Sequence, residues 1–260
     1  MAKNEPFLTR RENPEQVLNN PQYDRLMHTE SIGRLIQSVS FHHELVTNGL
    51  SAGTLDAIEK ASETRSFRDG DVLYAQGAVP RGVYRLKSGL VKISSSTPGG
   101  HRQLVYVYKT GDWMGYRQNF TSELYPVEGM AIGSVETTFI PVDEFVRLVK
   151  THQDLSYNLL LTLSQEFSAW VNRTVYMAKF PVRVRLAIGL LFLDAQFRGA
   201  CSNPVSILFS RTDLADMIGA TIETTVRALG EFKDNGWVDA RGRTIQVKDK
   251  NTLFQSVGEL

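Results

Sequence analysis

One cysteine, Cys201, stands in 260 residues. That excludes a disulfide within the chain and any four-cysteine iron–sulfur site built from a single copy. No apolar run is long enough to cross a bilayer and no signal-peptide pattern opens the chain, so a cytoplasmic protein with no membrane partner is expected. Neither sign of charge dominates. Twenty-nine Lys and Arg face 28 Asp and Glu, and from Pro181 onward the balance is ten to nine. With no global basic field, nucleic-acid binding has to rest on a local patch. Also missing are a phosphate-cradling glycine loop, a nucleophile elbow and a paired metal-ligand motif, and His43-Glu44 has no second His four residues on. An enzyme is therefore not expected.

What is present changes character along the chain. Residues 1–44 are polar with turn formers such as Asn13-Pro14, and read as a loosely docked extension in which Ile32, Leu35, Ile36 and Val39 could form one amphipathic helix. A short helix from Thr54 to Ala61 follows Ser51. Brief strands then alternate with Gly, Pro, Asp and Ser: 72–74, 82–86, 91–95, 103–108, 128–132 and 138–141. Regular turn signals of this kind indicate an antiparallel sandwich or roll, over 45–148. After Asp143 the period becomes helical. Leu155, Leu159, Leu163 and Phe167 recur at helical spacing over 149–180, a stretch read either as a buried core helix or, preferentially, as a dimer seam. Phe180-Pro181 breaks it, leaving a natural hinge and a second domain at 181–260. The expected class is α+β.

That second domain carries the most informative stretch. Ser210 is placed to cap a helix with Asp213 three residues on, and Leu214, Met217 and Ile218 give it an apolar face. Gly219 permits a left-handed turn, Thr221 caps a second helix, and Thr225, Leu229 and Phe232 fall on one side of it. Glu223 and Arg227 fall on the other. They form either a solvated i,i+4 pair or the reading edge of a helix-turn-helix, where Arg matches guanine O6 and N7 and Glu accepts from cytosine N4. Residues 236–247 alternate into a hairpin around Gly242, a wing with Arg241 and Arg243 at its tip placed for phosphate contacts. A reader of this kind needs a twofold partner, with recognition helices about 34 Å apart on double-stranded DNA.

The order of roll, long helix, hinge and winged helix-turn-helix resembles the CRP/FNR family of bacterial transcription regulators. The resemblance covers about residues 45 to 250 and rests on Leu50-Ser51, Gly111-Asp112-Trp113-Met114-Gly115, Phe180-Pro181-Val182-Arg183-Val184-Arg185-Leu186-Ala187 and the block Gly219 to Leu229. It implies an N-terminal cyclic-nucleotide-binding-like roll, a homodimer, RNA polymerase as a further partner, and a TGA-centred palindrome read by Glu223 and Arg227. Ile222 stands where cyclic-AMP receptor members carry another Arg, and an apolar side chain there suits a thymine methyl, so a TTGA half-site is expected. Val226 replaces the Ser of the oxygen-responsive branch. By the same resemblance Arg211, Thr221, Arg241 and Arg243 contact phosphate.

For the effector, the resemblance implies a pocket around Gly115, Tyr116, Tyr125, Pro126, Trp170 and Val171. Tyr116 replaces the family's ribose-binding Glu, Tyr125-Pro126 replaces its phosphate-binding Arg-Ser, and no Arg lies between Arg117 and Arg147. Without that guanidinium a cyclic phosphate loses roughly 2–5 kcal/mol. Cyclic AMP is thus not expected. Haem is left open, with His28, His42, His43 and His101 as candidate axial ligands. No cofactor or metal site is assigned, and a regulator that needs no ligand, with Trp170 filling the roll, remains the competing reading.

Overall fold

The computed structural model describes residues 32–121, 123–198 and 206–258. Cys201 and His28 lie outside these. The described residues open with α1 (Ile32–Val39), whose apolar positions are those expected for an amphipathic helix, and a 3₁₀ turn at His43–Val46. This part is built into the protein rather than loosely docked: Leu35, Val39, Phe41 and His43 are all buried. Polar composition up to residue 44 concealed a few large side chains that do the anchoring.

Helix α2 (Ala52–Lys60) starts where Ser51 Oγ accepts the Thr54 N–H. Asp154 also accepts from the Ser51 N–H and the Thr54 hydroxyl, fastening this start to the long helix, and those hydrogen bonds lower its carboxyl pKa to about 2. The roll consists of β1 (Glu63–Phe67), β2 (Val72–Tyr74), β3 (Gly82–Ser96), β4 (Arg102–Tyr108), β5 (Trp113–Met114) and β6 (Glu128–Pro141), with a one-turn helix α3 (Gln118–Thr121) before the last strand. All pairings are antiparallel in the order β1-β6-β3-β4, with β2 also on β6 and β5 on β3. The two pairs of short strands expected at 82–95 and at 128–141 are in fact two long strands. Lys87-Ser88-Gly89 is a bulge: the β3–β6 register slips on both sides of Ser88, and Gly89 has φ +87. A Cβ there would lie 2.4 Å from the Ser134 carbonyl, so the close approach requires glycine.

Helices α4 (Val142–Thr151) and α5 (Gln153–Lys179) follow, separated by His152 in an extended conformation. Phe180 is extended too, and α6 (Val182–Arg198) begins after Pro181. The C-terminal part comprises β7 (Ile207–Leu208), α7 (Arg211–Ile218), α8 (Ile222–Asp234), β8 (Val238–Arg241), β9 (Thr244–Val247) and α9 (Lys250–Gly258), with β9 between β7 and β8. Among the described residues no helix is long and apolar enough to cross a membrane.

Burial corrects the reading of α5. Leu155 and Leu159 are buried in the chain's own core with Trp113, Phe145 and Leu148, and Leu163 packs against the same cluster. They hold the helix to the roll and are not free to form a seam. Of the four, only Phe167 points out, 71% exposed, on a different stripe with Tyr157, Leu160, Leu161, Val171 and Val175. The domains are not separate in packing either. One buried cluster runs from Leu35 through the roll's Tyr84 and Tyr106 to Phe192, Phe232 and Leu253 of the C-terminal part. Tyr106 is its bridge, stacked on Phe41 at 3.9 Å and 5.2 Å from the Phe192 ring.

Candidate nucleic-acid interface and sensor cavity

The helix-turn-helix is set by local capping. Ser210 Oγ accepts the Asp213 N–H at 3.0 Å, Gly219 closes α7 in the left-handed region at φ +61, and Thr221 Oγ1 accepts the Thr224 N–H at 3.2 Å. Thr225, Leu229 and Phe232 are buried under α8, and Ile222, Glu223, Val226 and Arg227 are exposed on its opposite side. Neither Glu223 nor Arg227 makes an ion pair or side-chain hydrogen bond among the described residues, so the solvated pair weighed from the sequence does not form. The Thr225 hydroxyl donates to the Thr221 carbonyl at 2.9 Å, which explains a Thr on a buried face. That carbonyl also accepts the Thr225 N–H, so Thr225→Val should change urea-unfolding stability by no more than about 1 kcal/mol.

The expected phosphate contacts are more constrained than the sequence suggested. Arg211 is partly buried, its Nη1 has no hydrogen-bond partner among the described residues, and burial lowers its pKa. The wing arginines do have carboxylates nearby: Arg241 Nε is 3.4 Å from Asp239, and Arg243 is 4.0 Å from Asp69 of the roll. Further contacts tie α7 to the roll. Asp213 receives Lys92 Nζ at 2.8 Å and Arg102 at 3.4 Å, and Gln103 donates to the Met217 carbonyl. Burial alone would raise the Asp213 pKa, but hydrogen bonds from Lys92 and Ser210 bring it below the usual value.

In the roll, Gly115, Tyr116, Tyr125, Pro126 and Trp170 come together around a cavity of about 410 Å³, as the resemblance implied. Val171 does not join them and faces outward. Tyr74 stacks on Tyr125 at 4.4 Å, and the Tyr125 hydroxyl donates to the Gly82 carbonyl. Four residues that sequence reasoning left unconnected form a buried polar cluster at the base. His43 Nε2 lies 2.5 Å from Glu166 Oε1, which also accepts from the Tyr116 hydroxyl, and His43 Nδ1 is 3.5 Å from Asp112. Burial alone would lower the His43 pKa, but its hydrogen bonds and charge interactions with Asp112 and Glu166 raise it to about 9. His43 is thus an internal cation. His42 pairs with Glu44, and among the described residues no three His, Cys, Asp or Glu groups could hold a metal ion together. No spacing in the sequence connects His43 to Glu166, 123 residues away.

Comparison with known proteins agrees with this geometry. Residues 64–152 match the cyclic nucleotide-binding domain model, and 184–255 match the Crp-like helix-turn-helix domain model. The chain is 25% identical over 212 residues to the transcriptional activator protein FnrA of Stutzerimonas stutzeri, covering 80% of this chain and 86% of that protein. It is 26% identical over 207 residues to the transcriptional activator protein anr of Pseudomonas aeruginosa, covering 79% and 84%. FixK2 from Bradyrhizobium japonicum shares the fold at TM-score 0.65 and 20% identity, over 75% of this chain and 96% of that one. So does the regulator CLP of Xanthomonas campestris, described as c-di-GMP responsive, at 0.65 and 22% over 76% and 99%. These relatives are regulators rather than enzymes. With a roll matching the cyclic nucleotide-binding domain model, a long helix and a Crp-like helix-turn-helix in one chain, this protein belongs to the CRP/FNR family of DNA-binding transcription regulators.

Proposed function

We propose that the chain acts in the cytoplasm as a homodimer that reads a TTGA/TGA-centred palindrome and works with RNA polymerase. The observation that carries the base-reading assignment is the state of α8: Glu223 and Arg227 are exposed and unpaired, while Thr225, Leu229 and Phe232 lie on the buried side. Arg227 takes guanine, Glu223 takes cytosine, Ile222 meets a thymine methyl, and Val226 lies against the flanking base. Arg211, Thr221, Arg241 and Arg243 supply phosphate contacts, the wing pair after leaving Asp239 and Asp69. The twofold partner lies along the outward stripe of α5.

The four segments expected from the sequence remain our functional division, with the roll as sensor. The residues around its cavity do not fit a cyclic phosphate. Tyr125 and Pro126 stand in for the missing Arg-Ser, and the base of the cavity carries the Glu166 carboxylate. No cofactor is assigned. A space of about 410 Å³ beside Trp170 favours a ligand-responsive roll over one that Trp170 has filled.

Fluorescence-anisotropy titration of a TTGA-N6-TCAA duplex against a scrambled duplex at fixed salt tests the reader. Arg227→Ala should cost about 1–3 kcal/mol on the palindrome and relax specificity at one base pair per half-site. Equal weakening on both duplexes would assign Arg227 to phosphate and overturn the docking.

A further inference from the structure

We propose that the roll cavity takes a protonated aromatic amine, its ammonium on Glu166 and its ring among the aromatic side chains that wall the space. This rests on the reading of the roll as the sensor and names the ligand class for it. Glu166 is 4% exposed and lines the cavity. Its Oε1 already accepts from His43 and Tyr116, whereas Oε2 makes no hydrogen bond among the described residues. Glu166 lines the cavity, and this oxygen keeps its lone pairs free, so a ligand donor in that space would find an acceptor ready.

Charge decides between a neutral donor and a cation. Two buried carboxylates, Asp112 and Glu166, flank the single imidazolium of His43, leaving one surplus negative charge beside a largely apolar space. Among the described residues no Lys or Arg pairs with Asp112 or Glu166. Arg117 lines the rim but is exposed and in no ion pair there, and Arg173 spends its guanidinium on the Val39 and Val105 carbonyls. An ammonium would balance the charge; a phosphate or carboxylate would add to it. The walls agree with that choice, because Tyr74, Tyr108, Tyr125 and Trp170 present ring surfaces that attract cations and stack on flat ligands. A volume of about 410 Å³ suits one or two fused rings with a short arm. Glu166 belongs to α5, so its ligand pulls on the same helix that carries the outward stripe.

The test is isothermal titration of the full-length protein with tryptamine, and with indole-3-acetate as a probe of the same ring and opposite charge. Tryptamine should bind and indole-3-acetate should bind at least about thirtyfold more weakly, the ratio expected for one buried charge contact. Glu166→Gln should remove that preference, with circular dichroism checking its fold. Arg117→Glu, at the exposed rim, should strengthen tryptamine binding severalfold and stands independently of how Glu166→Gln folds. Equal affinity for the two probes, no tryptamine heat at about 1 mM, or weaker tryptamine binding by Arg117→Glu overturns the proposal. The anisotropy assay separates it from the sensor reading. Tryptamine that binds through Glu166 without altering DNA affinity keeps the amine site and removes the sensor role. An anionic ligand that binds the roll and shifts DNA affinity keeps the sensor role and overturns the amine.

Discussion

Leu160→Glu is expected to convert the protein to a monomer and to lower its affinity for the palindrome by roughly 10²–10⁴-fold, the avidity that a second linked half-site provides. The reason lies in the two apolar stripes of α5. One, with Leu155 and Leu159, is buried in the protein's own core. The other, Tyr157, Leu160, Leu161, Phe167, Val171 and Val175, runs along one side of the helix over about five turns, and Leu160 is 61% exposed. A stripe of that length and spacing is a helix-pairing face. A twofold axis along it would bring residue 160 of each copy close to its mate, so the substitution buries like charges where two leucines packed. Because Leu160 makes no core contact, the monomer should stay folded. Sedimentation velocity reads the mass, and an undiminished dimer would move the interface off this stripe.

The second large effect concerns His43. Its folded pKa of about 9 is above the ordinary 6.5, so the linkage sign is that of a cation stabilised by folding. The contribution is complete below about pH 6.5 and is lost as pH rises through 9, and its size is about 3 kcal/mol. His43→Ala leaves Asp112 and Glu166 buried without their cation and should cost about 3–5 kcal/mol near pH 6. Urea unfolding of both proteins at pH 6 and pH 9.5 measures it. The gap between them should shrink by about 3 kcal/mol; a gap independent of pH would mean that His43 is neutral in the fold.

The parts of this molecule legible in its sequence are those governed by neighbours along the chain. Ser210, Gly219 and Thr221 announce the two helices of the reader because capping is a matter of two or three residues. Strand β1 escaped notice since Glu63, Arg65 and Ser66 give it no apolar alternation; it is an edge strand paired to β6 alone. That Leu155, Leu159 and Leu163 face the chain's own core was hidden for a different reason. A helix with two apolar stripes gives one periodicity, and only the roll's position decides which stripe is already covered. The cavity outline could be carried over by resemblance, with Val171 the exception, but not its base. Three of the partners there, His43, Tyr116 and Glu166, are 50 to 123 residues apart and share no motif.

The bridge at Tyr106 would limit how fast a ligand-driven change could reach the reader. Any rearrangement that swings the reader away from the roll has to part Tyr106 from Phe192 and pull Asp213 off Lys92. Close-packed contacts of this kind exchange between discrete arrangements and do not bend gradually. A response that needs this parting would therefore be an activated, all-or-none step, roughly in the microsecond-to-second range and far slower than side-chain motion in the cavity. Brief visits by a weak ligand would leave before the reader moved, so residence time, as much as affinity, would determine which signals reach the DNA.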